Sequence, residues 1–121
     1  MFTVIPDHTI EIEIFNRVQI GIFETQEKLS KWLEEIGFPD EYIEPNENGS
    51  AQKIKNPRGK VWFILYLPKK ANIFILIHEA VHLAYFILDH HGIVFDIDNH
   101  EVFAYLVDYI VRKIKNKDFV E

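Results

Sequence analysis

Three side chains in one apolar run could do chemistry: His78, Glu79 and His82 are the only strongly polar residues between Ile73 and Leu88. On a helix, residues four apart lie one above the other, so the two imidazoles aim at one point about a turn wide. Imidazoles placed in this way can hold a divalent ion such as Zn²⁺. Glu79 sits about 100° round the helix from His78, close enough to reach a water on that ion without being a ligand itself. A helix apolar on every side belongs in the middle of a core, where titratable groups cost several kcal/mol unless paired or metal-bound. A metal would compensate all three at once.

Two histidines are one ligand short of the usual catalytic zinc site, which takes three protein ligands and a water. The candidates downstream are Asp89, His90, His91, Asp96, Asp98, His100 and Glu101. The pattern His-Glu-x-x-His-x-x-Gly-x-x-His is excluded, because Tyr85 stands at its glycine position and Leu88 at its third histidine.

The segment Glu101-Val-Phe-Ala-Tyr105, after the motif helix and a Gly-containing loop, resembles the corresponding helix start of small phage-encoded metallopeptidases. More broadly, the chain looks like a minimal zincin of the gluzincin type, in which a glutamate on the next helix completes the site. The resemblance covers residues 73 to 111, about a third of the chain. It implies one Zn²⁺ ion held by His78, His82 and Glu101, with Glu79 as general base and a peptide or protein as substrate. Ala104, one turn past Glu101, is small enough to let an antiparallel partner helix approach. The sequence departs from the gluzincin pattern at Tyr105, where many members carry an aspartate that orients a histidine. Asp108, Asp89 or a backbone carbonyl is then needed to receive the other imidazole N–H. An oxyanion requires a further donor: Tyr105 is the candidate, with Tyr85, His100 and Tyr66 open beside it.

The elements that must position these residues are legible as patterns. Thr9 to Phe15 alternates, with Ile10, Ile12 and Ile14 on one face, and Val18, Ile20 and Ile22 resume the alternation after Asn16-Arg17, which predicts an antiparallel hairpin. Thr25 is placed to cap a helix to about Ile36 that carries Leu29, Trp32, Leu33 and Ile36, with Gly37 ending it. From Pro39 to Ser50 the composition is that of a surface loop. Ala51 to Lys55 and Lys60 to Leu67 flank the turn Asn56-Pro-Arg-Gly59, and the second is apolar enough to lie inside the sheet. The motif helix runs to about His90, with Gly92 as its C-terminal glycine. A last helix is predicted from about Asn99 to Lys115, capped by Asp98 or Asn99, with Phe103, Leu106, Val107, Ile110 and Ile114 on its buried stripe. The order predicts an α+β fold, a small, mainly antiparallel sheet packed on helices, as one domain over residues 1–121.

Composition excludes several classes of function. A formal charge of −6 opposes nucleic-acid binding, and Lys53, Lys55, Arg58 and Lys60 read as a solvated hairpin. Absence of cysteine leaves His, Asp and Glu as metal donors and suits a reducing compartment, so a cytoplasmic location is expected. The N-terminus lacks a signal-peptide pattern. The longest apolar run is short of the roughly 20 residues that span a bilayer and holds three ionisable groups, so no membrane segment is expected. His90 and His91 suit a solvated helix end, and His8 the surface. The rival to an enzyme is a zincin-fold metal-binding or interaction module, for instance a phage or mobile-element protein that engages a host factor. A zinc hydrolase acting on another substrate is the third reading, because the motif specifies the water and not the substrate.

Overall fold

The alternation that predicts the first strand places Ile10 and Ile12 in the core, with Glu11 between them facing water. In the computed structural model, which describes residues 4–13, 15, 18–38 and 48–115, this strand is β1 (His8–Ile12). β1 pairs antiparallel with β2 (Val18–Phe23), Ile10 lying opposite Ile20. The strands β3 (Ser50–Lys55) and β4 (Val61–Tyr66) form the second antiparallel pair. Asn56 closes their turn, its side chain accepting from the Lys60 amide at 2.8 Å, and Gly59 takes a left-handed φ of 88°.

β2 and β4 pair in parallel, so the sheet order is β1-β2-β4-β3 and the sheet is mixed. Two of its three ladders are antiparallel, as expected; the parallel one follows from the crossover that contains α1 (Gln26–Glu35). Thr25 caps α1, its hydroxyl accepting from the Lys28 amide at 3.2 Å. Gly37 follows at φ 98°. The predicted loop from Pro39 lies largely outside the described residues, as do Ile14 and the Asn16-Arg17 turn.

Helices cover both faces of the sheet, which is why β4 is nearly all apolar. Leu29, Trp32 and Leu33 of α1 pack with Phe23, Ile54, Ile64 and Tyr66 on one side. On the other, Ile10, Ile12, Ile20, Ile22, Phe63 and Leu65 meet α2 (Ile73–His90) and α3 (His100–Lys115). α3 buries Leu106, Ile110 and Ile114, while Phe103 and Val107 are half-buried beside them. At its start it is Asp96 that organises the turn, accepting from the amides of Asp98 at 2.8 Å and Asn99 at 3.0 Å.

α2 corrects one expectation. Asn72 caps it, accepting from the Ile75 amide at 3.0 Å, and Gly92 at φ 74° follows its end. Its apolar residues, however, are not enclosed all round. Leu76, Leu83, Ile87 and Leu88 are buried, each worth about 1.5–3 kcal/mol, whereas Phe74, Ile77, Val81 and Tyr85 are exposed. Ala104, expected to let the two helices approach, is exposed, whereas Ala80 and Ala84 of α2 are fully buried. By length and a mean hydropathy of 1.4, α2 passes the test for crossing a bilayer, as core helices of soluble proteins also do.

Candidate metal centre

α2 presents its motif at the boundary between its packed and open faces. Glu79 is on the inner side of that boundary, 8% exposed, and it is the one buried charged residue among those described. His78 and His82, one turn apart, are on the outer side with ring centroids 5.0 Å apart. One ligand atom from each of His78, Glu79 and His82 falls within 4.8 Å of the others. Donors around a tetrahedral zinc stand about 3.4 Å apart, so small side-chain rotations would bring this group to a bound ion. Neutral imidazoles and a carboxylate also suit a borderline divalent cation.

The walls come from the start of β3 and from α2 itself. Two shallow hollows lie beside the motif, and Gly49, His78 and Glu79 line both. One continues over Ser50, Ala51, His82 and Phe86, with the rings of Phe86 and His82 stacked at 6.4 Å. The other continues over Asn48, Asn72, Phe74 and Ile75. β3 is the last strand of the sheet among the described residues, and its first residues, Ser50 and Ala51, line a hollow with both histidines.

The other expected site residues lie elsewhere. Glu101 is exposed in the first turn of α3 and stands outside the group formed by the motif. It lines a separate hollow with Phe15, Val102, Tyr105 and Leu106. Phe15 in turn stacks on His91 at 4.4 Å, and His91 caps α2 about two and a half turns past His82. Tyr105 shares that hollow and is 68% exposed; His100 approaches Glu101 at 3.9 Å. Tyr85 is exposed on α2, and Tyr66 packs in the core on the α1 side of the sheet. Asp108 is taken up by Arg112 at 2.9 Å. His91 Nδ1 donates to the Ile87 carbonyl, 2.7 Å away, and His90 meets the edge of Phe63. Burial, with the charge of Lys53 next, holds the His90 imidazole below its usual range.

Gly49, Phe74 and Phe86 are among the lining residues that sequence reasoning missed. Phe86 carried a usable signal, being four residues past His82 on the same helical face. Gly49 carried none beyond its place just before a strand, and the composition of that stretch points only to a loop.

The site is thus a two-histidine, one-carboxylate constellation able to hold a divalent ion beside a sheet edge. No protein-family model, curated protein or solved structure matches the chain.

Proposed function

We propose that the chain is a zinc-dependent hydrolase of the zincin kind, cleaving peptide bonds with Glu79 as general base. One observation carries the reading: a buried carboxylate stands within 4.8 Å of two exposed imidazoles one turn apart. An ion held by His78 and His82 would supply Lewis acidity, lowering the pKa of a water towards 7 and polarising a carbonyl. Glu79 removes that water's proton and returns it to the leaving amine. Its burial beside an open face lets it meet a substrate that water cannot surround. An extended peptide fits because the edge of β3 offers backbone hydrogen-bonding groups next to the histidines, the geometry of strand addition. His78 and His82 supply two of the three protein ligands that a catalytic zinc usually takes, and among the described residues only Glu79 stands with them at the motif. Glu101 and Tyr105, which the resemblance brings in, would join only if the start of α3 moved to the motif.

A second reading is favoured by the inclusion of Glu79 in the same group of donors. In a binding module Glu79 is itself a ligand, and there is no base. Metal analysis and peptide-library cleavage on wild type and Glu79→Gln separate the two. For the enzyme, both proteins bind one zinc with affinities within about threefold, and the variant loses cleavage by at least about a hundredfold. For the module, neither protein cleaves and the variant binds zinc at least about tenfold more weakly. A wild type that holds no stoichiometric metal sinks both.

A further inference from the structure

We propose that Gly49 is a positioning residue for Glu79: the absence of a side chain there is what lets the carboxylate lie in register with the two imidazoles. This rests on the hydrolase reading for its catalytic consequence, though not for its geometry. A Cβ built on Gly49 would stand 2.9 Å from Cγ2 of Ile75, 3.3 Å from Cγ of Glu79 and 3.4 Å from the carbonyl oxygen of Tyr66. The first distance is shorter than real Cβ contacts allow, and the second requires the Glu79 stem to give way.

The glycine is needed for space and not for backbone conformation, since its φ is outside the left-handed region that Gly37, Gly59 and Gly92 occupy. Three surfaces converge on it. The Tyr66 carbonyl is fixed by β4, Ile75 stands one turn before Glu79 on α2, and the Glu79 stem fills what remains. The Ile75 methyl is the branch methyl on Cβ, which moves only with χ1, and it has little room to retreat because the half-buried Ile75 packs against the main core. A methyl group at position 49 therefore presses on both neighbours, and with the Ile75 methyl held in place it is pushed onto the Glu79 stem, which yields by turning about its own bonds. That rotation swings the carboxylate away from His78 and His82 while leaving both imidazoles where they are.

The same glycine is the point where the two hollows meet over the motif. A backbone without a side chain is where another chain can approach most closely. Gly49 thus holds the base and keeps open the passage along the β3 edge above it.

The test uses zinc-loaded wild type, Gly49→Ala and the double variant Gly49→Ala/Ile75→Ala, the second substitution removing the methyl that the new Cβ would strike. Crystal structures give the Glu79 position directly; chelator competition gives zinc affinity; a peptide found by library cleavage gives kcat and KM. Expected for Gly49→Ala is a carboxylate displaced by about 1 Å or more, kcat down at least about tenfold, and KM and zinc affinity within about threefold of wild type. The double variant is expected to bring back both the carboxylate and most of kcat, which a purely structural role for Gly49 would not do. A Glu79 carboxylate in its wild-type place in Gly49→Ala overturns the proposal, as does a kcat within threefold of wild type. Should Gly49→Ala not fold, a folded double variant with Glu79 in place supports the steric account, and one with Glu79 displaced overturns it. If wild type binds no zinc or cleaves nothing, the hydrolase reading fails separately, and the position of Glu79 in the three crystals still decides the role of Gly49.

Discussion

Asp7 shows at the scale of one residue how the sheet is tied to the first helix. Its carboxylate accepts from the backbone amide of Glu24 at 2.7 Å and from Lys28 Nζ at 2.8 Å, while His8 pairs with Glu24 at 2.6 Å. Burial pushes the Asp7 carboxyl up, but the Lys28 and Glu24 hydrogen bonds and the charges of Lys28 and His8 outweigh it, leaving its pKa below the usual 3.8. A depressed carboxyl stabilises the fold above the unfolded pKa, and the contribution is lost as pH falls through the lower, folded value. Asp7→Ala is therefore expected to cost about 1–2 kcal/mol near pH 7, with the gap from wild type closing as pH falls below 3.8 and through the lower, folded value. Urea unfolding at a series of pH values measures it, and a gap independent of pH would remove the ionic cause. None of this was legible in the sequence, where His8 reads as an unpartnered surface residue. The pair exists because the β1–β2 register sets His8 opposite Ile22 and so brings Glu24 alongside, and register is a property of two strands together. His78, Glu79 and His82 were legible because their relation is local to one helix turn.

At the scale of elements, periodicity placed the described helices and strands within one or two residues of their observed ends, except that β1 stops at Ile12, three residues short of Phe15. It could not give the order in which the strands pair. Alternation says which face of a strand is buried but not which strand lies beside it, so the parallel β2–β4 ladder had no signal. The same limit applies to α2, whose composition says that it is apolar but not that one side would be left open at Phe74, Ile77, Val81 and Tyr85. It applies again to Glu101, whose separation of nineteen residues from His82 suits a ligand on the next helix, while the actual packing sets it in a hollow with Phe15, the residue that stacks on His91 at the end of α2. Leu106 is fully buried and Phe103 packs on Phe95 with ring centroids 4.7 Å apart, so the first turn of α3 is anchored where it stands. Glu101→Gln is accordingly expected to change zinc affinity by less than about threefold, against a loss of about a hundredfold for His82→Ala. A loss of tenfold or more in Glu101→Gln, measured by chelator competition, would mean that α3 closes onto the motif when the metal binds.

For the whole molecule, the question is whether the metal holds the fold or the fold holds the metal. The two hydrophobic clusters that close the described core contain neither histidine of the motif, and both imidazoles are exposed. Removing an ion would therefore uncover no core surface, in contrast to small domains whose folding depends on zinc. Protein stripped with a chelator is expected to keep its helical circular dichroism at 25 °C and to unfold in one cooperative step. Zinc then acts by linkage alone, adding about 2.7 kcal/mol when free metal is a hundredfold above Kd, or about 10 °C in Tm for a chain of this size. His82→Ala should unfold close to the stripped wild type, since an exposed imidazole contributes little packing, and should show no zinc-dependent shift. Calorimetry of the four samples, each protein with and without zinc, settles the matter. Stripped wild type that is already unfolded at 25 °C would make the ion structural, and Glu79 would then be better read as a ligand than as a base.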